Sequence, residues 1–125
     1  MTNEPRDQAL QLLYEAEQRG LDEIALTGVS SKASRIVRGV LDHLPALDAS
    51  IEAAAEHWSL ERMPPVDRTI LRIGLYELRH EPSVPPAVIV SEAVRMAKVY
   101  STQRSGSFIN GVLGRLAETE RGEAR

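Results

Sequence analysis

Between Val66 and Leu78 the chain carries apolar residues on almost every side of a helix. With about 3.6 residues per turn, Val66, Ile70, Leu71, Ile73, Leu75 and Leu78 cover most of the circumference. A helix of that kind cannot lie on a surface; it has to be surrounded by neighbours. Arg68, Arg72 and Arg79 share one narrow wedge of it, while Asp67 and Glu77 interrupt the apolar side. Gly74 sits within it at a cost of about 1 kcal/mol relative to alanine, which predicts a close helix crossing there. Pro64 and Pro65 suit its first turn, and Asp67 complements its N-terminal dipole.

The flanking segments supply the neighbours. A first helix has Asn3 as a candidate cap, Pro5 in its opening turn and Gly20 beyond its end. Its stripe is Ala9, Leu12, Leu13 and Ala16, with Leu10 alongside. After a loose connector over 21–30, Ser31 or Ser34 starts a helix through Ile36, Val37, Val40, Leu41 and Leu44. Pro45 interrupts, and the pattern resumes with Leu47, Ile51 and Ala54 towards Trp58. Beyond a loop with Pro82, Pro85 and Pro86, a helix points Ile89, Ala93, Met96, Ala97 and Tyr100 inward, with Ser91, Arg95 and Lys98 opposite. Ser105 is a good N-cap for a last helix whose stripe is Ile109, Val112, Leu113 and Leu116. No strand-like alternation of useful length occurs. The pattern predicts an all-α single-domain bundle of about six or seven helices over 1–117, followed by a polar tail over 118–125 that frays.

Composition narrows the function classes. A chain of 125 residues without cysteine has no disulfides or thiolate metal sites, and it fits a reducing, cytoplasmic setting. No stretch approaches the roughly 18 apolar residues needed to span a bilayer, so no membrane role is expected. The three histidines, His43, His57 and His80, lack metal-ligand spacing, and His80 beside Glu81 reads as a solvated loop pair. There is no phosphate loop, nucleophile elbow or cofactor motif, and no catalytic residue is assigned. Net charge is −3, but unevenly placed: residues 1–61 carry 5 basic and 11 acidic side chains, residues 62–125 carry 10 and 7. That asymmetry can draw an anion to the C-terminal half, although ordinary solvated helix faces explain it more simply.

A binding surface is best supported where the penultimate helix ends and the last begins. Lys98, Ser101, Arg104, Ser105, Ser107 and Phe108 fall within eleven residues. Free N–H groups at a helix start suit a phosphate oxygen, and lysine and arginine add screened attraction. Phe108 is the single phenylalanine, and it lies off the core stripe, where it can stack on a base of single-stranded RNA. Read from these residues alone, that surface and a capped helix whose Phe108 covers a core edge stand level.

Over essentially its whole length the chain resembles the NusB family of bacterial transcription antitermination factors. The resemblance rests on Ala9-Leu-Gln-Leu-Leu-Tyr14, on Val66-Asp-Arg-Thr-Ile-Leu-Arg-Ile-Gly-Leu-Tyr-Glu-Leu78, and on Val84-Pro85, Glu92-Ala93, Ala97-Lys98 and Phe108-Ile-Asn-Gly-Val-Leu113. Trp58-Ser-Leu-Glu-Arg-Met63 resembles actinobacterial members. The resemblance implies binding of boxA RNA from ribosomal RNA leaders, together with the small-subunit ribosomal protein NusE, in a complex on RNA polymerase. It implies an RNA surface of Arg6, Tyr14, Lys98 and Phe108 with the Ser101–Ser107 loop beside them. For NusE it implies Asp67, with Glu61 or Arg68 near it.

One departure stands out. Family members often begin with an Arg-Arg-Ala-Arg arm, and the corresponding positions here are Asn3, Glu4, Pro5 and Arg6. Losing two or so phosphate contacts weakens RNA affinity and flattens its salt dependence. Either the start lies upstream or the chain relies more on its partner, and Arg104 can compensate in part. Two other readings remain open: an accessory RNA-recognition domain of an rRNA methyltransferase, set apart by the lack of a sheet-forming region after Leu116, and a helical protein-interaction module that has lost RNA binding.

Overall fold

The computed structural model describes residues 4–56 and 58–122, and among them it contains six α-helices, one 3-10 turn and no strand. The helices are α1 (Pro5–Arg19), α2 (Ser31–Asp42), α3 (Leu44–Ala55), α4 (Pro65–His80), α5 (Pro86–Tyr100) and α6 (Gln103–Arg121), with the 3-10 turn at Leu60–Arg62. As its circumference requires, α4 is the centre: each of the other five helices packs against it. Ile70, Leu71 and Leu75 are fully buried, as are Ile36, Leu47, Ile51, Ile109 and Leu113 from the surrounding helices. No helix among the described residues is long and apolar enough to cross a membrane.

The punctuation works through identifiable bonds. Gly20 adopts φ 66°, and Leu21 and Gly20 donate to the carbonyls of Ala16 and Glu17 to close α1. At α2 the cap is Ser30, one residue before Ser31 and four before Ser34, because Ser30 Oγ accepts from the Ala33 N–H at 3.1 Å. Pro45 starts α3 instead of merely interrupting α2. Gly74 meets the expected close crossing, since a Cβ there would lie 2.7 Å from Leu113 Cδ1 on α6. Gly39 is a second such point that periodicity does not reveal: a Cβ on it would overlap the Tyr76 ring.

Several expectations need correction. Leu41, assigned to the α2 stripe, is 39% exposed at the rim of the bundle. The helix does not fray after Ala117; α6 continues to Arg121, where Arg79 pairs with Glu120 at 2.8 Å and Arg121 donates to the Leu78 carbonyl. Glu81 is no solvated partner of His80, because Arg35 and Tyr76 both donate to it, while His80 stacks on His43 at 4.1 Å. Asn3 and His57 lie outside the described residues.

Charged side chains tie the helices together. Glu77 on α4 is 0% exposed, and Arg6 on α1 meets it in a fork, with Nε and Nη2 at 2.6 and 2.8 Å. The next residue, Asp7, accepts from Arg95 on α5 at 2.6 Å and from the Tyr100 hydroxyl at 2.7 Å. Burial alone would raise the Asp7 carboxyl, but the Arg95 and Tyr100 bonds outweigh it and hold it below its ordinary range. Glu17 behaves alike: burial opposes its charge, and Arg68 and Arg72 more than compensate.

Replacing Ile70 or Leu75 with alanine should cost about 2–5 kcal/mol in denaturant melts, and a neutral result would remove α4 from the centre. Arg6→Ala should cost about 3–5 kcal/mol, because it leaves Glu77 buried and uncompensated; an Arg6→Ala protein that melts like the parent would show that the pair is not formed. Asp7 and Glu17 have depressed folded-state values, so their contribution is present above the unfolded carboxylate range and is lost as pH falls from there through the lower folded-state values. Melting temperature should therefore hold near neutrality and fall below about pH 4, with a shallower acid decline in Asp7→Asn.

Candidate nucleic-acid interface

The junction of α5 and α6 is built around a buried carboxylate. Asp67, in the first turn of α4, is 2% exposed and accepts from Ser101 Oγ at 2.7 Å and Ser105 Oγ at 2.8 Å. Each serine has one hydroxyl proton, and both are directed at Asp67. The 2.9 Å approach of the two serine oxygens is then held by their shared acceptor. Thr102, not Ser105, caps α6: its Oγ1 accepts from the Ser105 N–H at 3.2 Å. Ser105 is already inside the helix and buried, which frees its hydroxyl for Asp67.

Beside this cluster lies an open depression of about 260 Å³. Met63, Asp67 and Ser105 are its buried residues, and Trp58, Pro64, Thr102 and Arg104 are exposed around it. Phe108, half-buried on α6, meets Trp58 edge-on, with centroids 6.4 Å apart and planes at 72°. Trp58 is 51% exposed. Two aromatic rings therefore line a mostly apolar depression, with Asp67 and Ser105 buried beside Met63. Lys98, in the last turn of α5, is exposed, and its stem lies against Gly106, where a Cβ would meet Lys98 Cε at 3.4 Å. Ser107 is exposed on α6.

The structure thus brings Ser101, Arg104, Ser105 and Phe108 together, with Lys98 and Ser107 on the same pair of helices. Arg6 is different. Its guanidinium is engaged by Glu77 and comes within 3.9 Å of Glu92, so it is not an arm free to grip a phosphate. The cause is the buried Glu77 carboxylate, which requires a cation. Tyr14 is half-buried on α1.

Of the three residues assigned to a protein partner, Glu61 is exposed on the 3-10 turn. Asp67 is internal, as its two serine bonds require. Arg68 is largely turned inward, donating to both Glu17 oxygens and to the carbonyls of Leu60 and Met63. It joins α1, the 3-10 turn and α4. Trp58 is the residue that sequence reasoning passed over; its signal was an unpaired tryptophan just before a proline-bounded turn, away from any core stripe.

The NusB family profile matches residues 3–118. Transcription antitermination protein NusB of Arthrobacter sp. (strain FB24) is 47% identical over 122 residues, covering 90% of each chain. Among solved structures, NusB of T. maritima is similar with a TM-score of 0.80 at 35% identity, covering 94% of this chain and 93% of that one. A chain from a crystal structure of antitermination factors NusB and NusE in complex with dsRNA gives a TM-score of 0.79 at 25% identity, covering 92% and 94%. Sequence and fold agree along nearly the whole length, and the chain belongs to the NusB family.

Proposed function

We propose that this chain is a transcription antitermination factor that binds the boxA RNA of ribosomal RNA operon leaders together with NusE. It would act in the cytoplasm within an antitermination complex on RNA polymerase and promote rRNA transcription. The carrying observation is Phe108: an aromatic face left half-open at an ordered helix junction, with exposed Arg104 and Lys98 on the same two helices. That combination offers stacking and screened charge together, which is how single strands are held. The names of relatives support it, since curated relatives are transcription antitermination proteins and one structural neighbour is described in complex with NusE and dsRNA. Glu61 is the partner-facing candidate that remains exposed. No step of this role requires catalysis.

Titration of boxA RNA at several salt concentrations, with and without NusE, tests the proposal. Binding should be tighter with NusE, because the joint surface pools contacts; equal affinity in both arms would remove the cooperative part. Phe108→Ala should weaken binding by about 1–3 kcal/mol. Lys98→Ala should weaken all sequences alike and lower the salt slope by about 0.7, one phosphate on a single strand. A Phe108→Ala protein that melts much earlier yet binds RNA normally would make Phe108 a packing residue and end its RNA assignment.

A further inference from the structure

We propose that Trp58 is a stacking residue for one unpaired RNA base in its own right, in a slot that it lines together with Phe108. The inference rests on the RNA-binding reading above and names a contact that this reading does not contain. Trp58 is half exposed, although it is the single tryptophan of the chain and the side chain with most apolar area to lose from water. Its one aromatic contact among the described residues is Phe108, with planes at 72°, so no ring lies stacked face to face on it. Tryptophan offers a base the largest π-face of any side chain, and stacking of this kind tolerates any base.

The depression beside the two rings favours a base over a phosphate. Its lining includes Asp67, a buried acid whose charge opposes an anion. Asp67 is 2% exposed and accepts one serine hydroxyl on each oxygen, so it acts on a nucleotide through its charge and not through a contact. Arg104 is exposed at the mouth, where the sugar-phosphate of the same nucleotide would emerge. The depression therefore joins two aromatic rings, a buried carboxylate and an exposed cation. A duplex keeps its bases stacked inside, so the slot selects single-stranded RNA.

The test uses the full chain, unlabelled NusE and a single-stranded boxA RNA. Growth with 5-fluorotryptophan places one fluorine in the protein, at Trp58, and its 19F resonance reports on that ring whatever the partner contains. The RNA should shift this resonance beyond any change caused by NusE, and inorganic polyphosphate, which has charge but no bases, should not. Trp58→Ala should weaken RNA binding roughly 5- to 100-fold, while Trp58→Phe should stay within about 5-fold of the parent, because a smaller ring still stacks. Both variants should melt near the parent, since the side chain is half in water.

Other outcomes separate the two ideas. RNA that binds normally to Trp58→Ala, or that leaves the resonance unmoved, overturns the slot and leaves the RNA-binding reading intact. A resonance moved by NusE alone, with nothing added by RNA, makes Trp58 a protein contact and also overturns it. Absence of RNA binding by the parent with NusE present overturns both.

Discussion

Enclosure of α4 on all sides is the constraint from which the rest follows. Such a helix has no solvated face on which to place its polar groups, yet it carries Asp67, Arg68, Arg72, Tyr76, Glu77 and Arg79. Each of them must find a partner inside the protein, since an unpaired buried charge costs several kcal/mol. They find it on different neighbours. Glu77 takes Arg6 from α1, Arg72 reaches Asp48 on α3 and Glu17 on α1, and Arg79 bonds Ser50 on α3 and Glu120 on α6. Among the described residues no buried side-chain nitrogen or oxygen lacks a partner. Apolar contact alone would let the surrounding helices slide by a turn; these directional bonds set their registers.

Asp67 extends that logic to the surface. It is bound to α4, yet its two hydroxyl partners sit at the end of α5 and inside the first turn of α6. The junction that carries Arg104 and Phe108 is thereby fixed to the most buried helix of the molecule. A site resting on a loop would have to be ordered when its ligand arrives, at a cost in entropy. Here the ordering is already present in the fold, so a ring at Phe108 is held at a set angle to α4 before anything binds. An acidic residue can thus order a surface from inside the fold without being part of that surface.

The helices were legible because their signal is periodic and local: the stripes of α1, α4, α5 and α6 are buried except at Leu12, Val66 and Tyr100, which are partly buried at the edge of the core. Caps were less so. Ser30, Thr102 and Ser105 are all acceptable capping types, and the choice among neighbours depends on where the next helix must enter. Long-range pairs were not legible at all. Nothing local to Arg6 marks Glu77, 71 positions away, as its partner, so an arginine near the N-terminus reads equally well as an RNA contact. Asp67 carried the same ambiguity, since a first-turn acid serves the helix dipole whether it is solvated or buried. Trp58 was passed over because exposure of a large aromatic cannot be inferred from spacing when the residue lies outside every stripe.

The internal use of Arg6 bears on how RNA would be held under the proposed function. With that guanidinium committed to Glu77, exposed positive charge at the α5–α6 junction comes from Lys98 and Arg104. Two phosphate contacts on a single strand give a salt slope of only about −1.4, and a chain of net charge −3 repels RNA at long range. Electrostatics of that size cannot supply most of the affinity. Stacking is far less sensitive to salt, and each stacked base contributes about 1–3 kcal/mol. The balance therefore moves from charge towards rings, and from this chain towards a partner able to supply the missing cations. A surface with so little exposed charge would bind weakly alone yet favour unpaired strands over duplex, because stacking reads open base faces and not the phosphate backbone that all nucleic acids share.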